Sequence, residues 1–151
     1  FLEEKGIQNY LIELGGEVRG KGINARDSTW VIGIDKPVAY KEGERQLQTT
    51  VVLKNKSIAT SGSYRKYLER EGKKLSHVID PATGYPVSHN MISVSVLAND
   101  CMTADAFATA FLVMGMDKAF EKATELNLEI YCIYAHDDGK LSVRSTPDFG
   151  Q

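Results

Sequence analysis

The stretch Ile92–Met114, ISVSVLANDCMTADAFATAFLVM, decides the fold. In its first six residues Ile92, Val94 and Val96 alternate with Ser93, Ser95 and Leu97, the pattern of a strand with one buried face. Asn99 or Asp100 can cap a following helix by accepting from its unpaired N–H groups. That helix is predicted over Met102–Met114, where Ala104, Ala106, Ala108 and Ala110 are strong helix formers. It is apolar nearly all round, so it is expected to be central and buried.

Downstream, a second helix is predicted from Asp117 to Asn127, with Ala119, Phe120, Ala123 and Leu126 as its apolar stripe. Tyr131–Ala135 and Leu141–Arg144 then make a hairpin across Asp137-Asp138-Gly139. Upstream, Tyr10-Leu11-Ile12 reads as a buried strand closed by Gly15-Gly16. Further strands are predicted at Trp30–Ile34, Thr49–Leu53 and Ser57–Thr60. Arg65–Lys74 interleaves Glu69 and Glu71 with its basic residues, which favours a solvated hairpin tip over a phosphate-binding patch. His77–Pro86 is dense in turn residues. The expected fold is α+β, a mainly antiparallel sheet with a few helices packed on one face.

Composition excludes more than it identifies. The 151 residues carry a net charge of −2, are 42% hydrophobic and 25% charged, and suit one globular domain. No apolar run is long enough for a transmembrane helix. The first residues, Phe1 to Lys5, lack the layout of a signal peptide. A near-neutral balance argues against a nucleic-acid surface. Cys101 and Cys132 are expected to be buried free thiols, with a single bridge as the alternative. Phe1–Gly6 reads as the last turn of a helix, so a segment is expected upstream.

Chemistry is concentrated in a few positions. Asp105 and Thr109 lie four apart, on one face of the predicted helix. A carboxylate in a small-residue helix is costly unless paired or bound to a cation, and these two oxygens suit Mg²⁺ or Ca²⁺. The alternative is an Asp near the helix start bonding to backbone N–H groups, with Thr bonding back to a carbonyl. His77 stands three residues before Asp80, which suits either a base at a pocket mouth or a turn-stabilising Asp beside a half-exposed imidazole. His89 and His136 are read as solvated. Gly15–Gly22 and Thr60–Tyr64 are glycine-bearing turns; either could approach a phosphate or a flat ring, or simply close a hairpin.

In chain order these segments read GGEVRGKG, WVIGIDKP, ATSGSYRKY, HVIDPATGYP and ADAFATAF. Together they resemble the ApbE family of FAD:protein FMN transferases, over nearly the whole chain. The H-x-I-D-P-x-T-G-x-P element and the A-D-A-x-A-T-A helix are its most specific parts. The resemblance implies a T-fold-like α+β domain, of which residues 1–151 are expected to be the C-terminal portion with the upstream part missing. It implies transfer of FMN from FAD to a Thr or Ser hydroxyl of a partner flavoprotein, releasing AMP, with Mg²⁺ at the pyrophosphate. It places the metal at Asp105 and Thr109, with a carbonyl near Ala108. It places flavin contacts at Ser61, Gly62, His77, Val78, Asp80 and Ser93, and gives His77 and Asp105 catalytic roles. It implies an extracytoplasmic location, with membrane contact only through a lipid anchor upstream. Two further readings compete: a non-catalytic FAD- or metal-binding module, and a structural piece completing a partner's sheet. The presence of both Asp105 and Thr109 favours the enzyme.

Overall fold

β-Branched and aromatic residues cluster between turn residues, and each cluster becomes a strand. The computed structural model describes residues 1–37, 46–63, 67–70 and 73–151. Six strands form one sheet: β1 (Tyr10–Leu14), β2 (Glu17–Lys21), β5 (Ser57–Gly62), β8 (Met91–Ala98), β9 (Glu129–Ala135) and β10 (Leu141–Ser145). Their order is β1-β2-β5-β8-β9-β10, and every neighbouring pair is antiparallel. β3 (Trp30–Asp35) and β4 (Leu47–Leu53) pair as a separate hairpin, as do β6 (Tyr67–Arg70) and β7 (Lys73–Ser76). The last pair agrees with the hairpin expected over Arg65–Lys74; its tip, residues 71–72, lies outside the described residues.

Two helices cover one face of the sheet. α1 (Cys101–Met114) and α2 (Met116–Glu125) bury Ala104, Ala108, Phe111, Leu112, Ala119 and Ala123 against Val94, Val96, Ala98, Ile130 and Cys132. Asp100 is the cap of α1, its carboxylate accepting from the N–H of Thr103 at 2.8 Å and from its hydroxyl at 2.9 Å. On the opposite face the β3–β4 hairpin closes a second core of Val18, Ile34, Val51, Leu53, Ile58 and Leu97.

Four expectations are corrected. α1 is not buried all round: its buried residues fall at the helical spacing 104, 108, 111 and 112, while Asp105, Ala106 and Thr109 are exposed and Met102 is 80% exposed. Alanine suits either side of a helix, so an alanine-rich run hides its polar stripe. β1 is an edge strand with Leu11, Ile12 and Leu14 exposed, not a buried one. β8 is buried on both faces, Ser93 and Ser95 included, because the β3–β4 hairpin covers its serine side. Finally, Gly15–Gly22 is more than a turn: Gly15-Gly16 makes the bend, and Glu17–Lys21 is a strand.

Candidate functional site

The site builds from the end of β5. Strand alternation sends neighbouring side chains to opposite faces. Ser61 follows Ala59 toward the helices, and its hydroxyl lies 3.0 Å from that of Thr109. Thr60 points the other way, its hydroxyl 2.7 Å from that of Ser95. Asp105 stands one helical turn before Thr109 on the same exposed face of α1. Ser61, Asp105 and Thr109 therefore form a patch of hard oxygen donors on the alanine-rich α1 and the neighbouring end of β5.

Those donors suit a small divalent cation such as Mg²⁺, which prefers oxygen and keeps several waters. Because the patch is exposed, such an ion would retain water on its open side. Ala108 faces the core instead, and its carbonyl sits within a regular helix, where it accepts from the amide four residues on. Among the described residues no group of three or more His, Cys, Asp or Glu side chains is placed to hold a metal. The side-chain donors of the patch are thus one carboxylate and two hydroxyls, not a classical transition-metal cluster.

On the other face lies a cleft of about 750 Å³. Thr60, Gly62, Ser93 and His77 line one side, and Ile32, Gly33, Ile34 and Leu47 of the hairpin the other. A cleft of this size takes a ring system or an extended segment. Glu13, Glu17 and Asp35 stand around it, with the Gly15-Gly16 bend. Gly62, His77 and Ser93, all expected at a flavin pocket, are brought together here. Ser61 and Val78 are not; Val78 packs against the helix-side core.

The His77–Pro86 segment is held by its own backbone. The carbonyl of Asp80 accepts from the N–H groups of Thr83 and Gly84, and its Oδ1 accepts from Ala82 at 2.9 Å. Asp80 donates its own N–H to Tyr85, and Val87 donates to Val78. Gly84 has φ +74°, a conformation that favours glycine. Asp80 therefore shapes the loop, and His77 at its root is exposed at the cleft wall.

The other histidines divide. His136 is exposed, 2.8 Å from the Ser142 hydroxyl, as expected. His89 is not solvated as expected: it is half-buried, with Nε2 2.7 Å from the carbonyl of Leu112. Both cysteines are free; Cys132 is fully buried and Cys101 only half so. Burial pushes the Cys132 thiol up to about 12.

The fold and site define an α+β domain with an oxygen-donor patch on one face of its sheet and a cleft on the other. The chain belongs to the ApbE family, whose family model matches residues 1–133. It is 44% identical over 145 residues to the FAD:protein FMN transferase of Haemophilus influenzae, covering 96% of this chain and 41% of that protein. The transferase of Vibrio cholerae is 41% identical over 139 residues, covering 92% of this chain and 41% of the relative. Among solved structures, the flavin transferase ApbE of Vibrio cholerae superposes with a TM-score of 0.80 at 36% identity, over 97% of this chain and 45% of that one. The apo flavinyl transferase ApbE of Pseudomonas stutzeri gives 0.79 at 31% identity, over 97% and 44%. The chain thus spans about two fifths of the length of the curated relatives it matches.

Proposed function

We propose that this chain carries the metal-binding face and part of the flavin pocket of an FAD:protein FMN transferase. The reaction moves FMN from FAD to a Thr or Ser hydroxyl of an acceptor flavoprotein and releases AMP. The observation that carries the reading is the Ser61–Thr109 hydroxyl contact beside Asp105, on a chain 44% identical to a transferase of that name. The T-fold-like assignment belongs to the same reading, supported by the antiparallel sheet with both helices on one face. An extracytoplasmic location rests on the family resemblance.

The acceptor oxygen bonds to the FMN phosphorus, the bond from that phosphorus to the bridging oxygen breaks, and AMP leaves with that oxygen. A divalent cation, when bound, supplies charge neutralisation at the two phosphates. Asp105 supplies the negative charge that would hold it, and Thr109 and Ser61 supply neutral oxygens. His77, at the cleft wall, takes the hydroxyl proton in this reading. Because Ser61 and Gly62 are consecutive, β5 presents one residue to the cation face and the next to the cleft. Glycine at position 62 leaves that passage without a side chain.

Incubating the protein with FAD, Mg²⁺ and a Thr-bearing acceptor peptide tests this, with mass spectrometry reading peptide-bound FMN. FMN on the peptide hydroxyl, lost in Asp105→Asn, is the expected result. Retention of transfer by that variant would remove the cation from this face. His77→Ala is expected to depress transfer strongly while FAD affinity stays within a few fold.

A further inference from the structure

α1 is tied at both ends by side chains from distant parts of the chain. At its start, Arg19 Nη1 donates to the carbonyls of Asn55, at 2.6 Å, and Asn99, at 2.7 Å. Asn99 directly precedes the cap, Asp100. One guanidinium thus joins β2, the β4–β5 turn and the entry to α1. At the other end His89 Nε2 lies 2.7 Å from the carbonyl of Leu112. A carbonyl only accepts, so Nε2 is the donor of this bond. Nδ1 is buried without a hydrogen-bond partner among the described residues. Leu112 lies in the last turn, where carbonyls lack helical partners. A Cβ on Gly115 would stand 3.1 Å from the His89 ring, so glycine there admits the ring.

These ties matter because of what the first half of α1 offers its sheet. Its fully buried contacts there are Ala104 and Ala108, whose methyl groups give less grip along the helix axis than the half-buried Phe107 beside them or Phe111 and Leu112 further on. A helix moves as a rod, and a shift by one residue's rise, about 1.5 Å, displaces every group on it equally. Such a shift would break the Ser61–Thr109 contact and carry Asp105 with it.

We propose that Arg19 and His89 are positioning residues that fix α1 lengthwise on the sheet and so set where Asp105 and Thr109 stand relative to Ser61. The consequence for the cation rests on the transferase reading; the register itself does not. Two measurements separate them, each made well below the melting temperature of every variant used. The first is calorimetric Mg²⁺ titration. Arg19→Ala and His89→Asn are expected to weaken binding by about tenfold to a hundredfold, the usual range for groups that orient ligands. His89→Gln, whose amide nitrogen can occupy the place of Nε2, should return to within a few fold of wild type. The second is register trapping: a Ser61→Cys, Thr109→Cys pair is expected to oxidise about tenfold more slowly when Arg19→Ala is added, because the sulfurs meet less often. If wild type binds no Mg²⁺ while trapping still slows, the cation reading fails and the clamp stands. Equal Mg²⁺ affinity and equal trapping in Arg19→Ala and in the unaltered background overturn the clamp. A His89→Gln variant as weak as His89→Asn overturns the part assigned to His89.

Discussion

The two faces of the central sheet are built on different plans. On the helix side, Ala104, Ala108, Phe111, Leu112, Ala119 and Ala123 of α1 and α2 pack closely on β8 and β9, with Ser61, Asp105 and Thr109 as an oxygen-donor patch beside them. On the hairpin side, Leu53, Ile58 and Leu97 fill part of the space, and a cleft of about 750 Å³ takes the rest. A flat, close-packed face can hold oxygen donors in fixed positions. A face capped by a detached hairpin can leave room for a bulky group. Position and room thus come from opposite sides of one sheet and meet at the end of β5.

The largest test of this contrast is removal of bulk from each side. Phe111 is the largest fully buried side chain on the helix face, and Phe111→Ala should cost about 3–5 kcal/mol in urea unfolding. Leu53→Ala, on the hairpin face, should cost about 2–5 kcal/mol, toward the low end because the neighbouring cleft already leaves the wall free to relax. Equal losses at the top of both ranges would mean that the faces are packed alike. Next comes Asp105→Asn, which keeps volume and removes charge. It should weaken Mg²⁺ binding by more than tenfold, on the order of 1.4 kcal/mol or more, with little change in unfolding. Thr109→Val should do less.

A smaller effect separates adjacent residues of β9. Cys132 faces the helix-side core and Tyr131 the hairpin-side one, and burial raises both groups above their ordinary values. An acid whose pKa is raised by folding stabilises the fold below its unfolded value and loses that contribution as pH climbs. Stability should therefore fall from about pH 9 toward the Cys132 value of about 12. Cys132→Ala should flatten part of this alkaline loss, measured by urea unfolding across the series. The smallest effect is acidic. Hydrogen bonds from Thr103 hold Asp100 below its ordinary value, so its contribution is present above the unfolded pKa and fades as pH falls through the lowered one. Asp100→Asn keeps the cap oxygen and should remove only that pH dependence, seen as an altered acid slope in thermal melts.

Strong local signals were legible in the sequence. The strand at Ile92–Leu97, the capped helix after it and the Asp137-Asp138-Gly139 hairpin all follow from periodicity and turn chemistry. β2 was missed because Gly16 and Gly22 flank a short run that itself contains Gly20 and make it look like a loop; its pairing to β1 and β5 makes it a strand. The exposed stripe of α1 was masked by alanine. The serine side of β8 gave no hint of burial, since its cover comes from a hairpin some forty residues upstream. In the candidate site, spacing puts Asp105 and Thr109 on one helix face, while the sequence reading set Ser61 with the flavin segment and the structure sets it beside Thr109. The signal that could have moved it is alternation along β5: Ala59 and Ser61 on one side, Ile58, Thr60 and Gly62 on the other. His89 was unreadable because its partner is a carbonyl 23 residues away.

The division of the cores has a consequence in time. Apart from Ala59, every buried residue of the helix-side cluster comes from the continuous segment between Met91 and Cys132. The hairpin-side cluster draws on Val18, Ile34, Val51, Ile58 and Leu97, scattered over most of the chain. Closing long loops costs entropy before any contact repays it, so short-range clusters order sooner. The segment from β8 to β9 is therefore expected to gain amide protection first during refolding, with the walls of the cleft assembling around it afterwards. Pulse-labelled hydrogen exchange would read that order strand by strand, with Asp105 and Thr109 in place on α1 before β5 brings Ser61 to them.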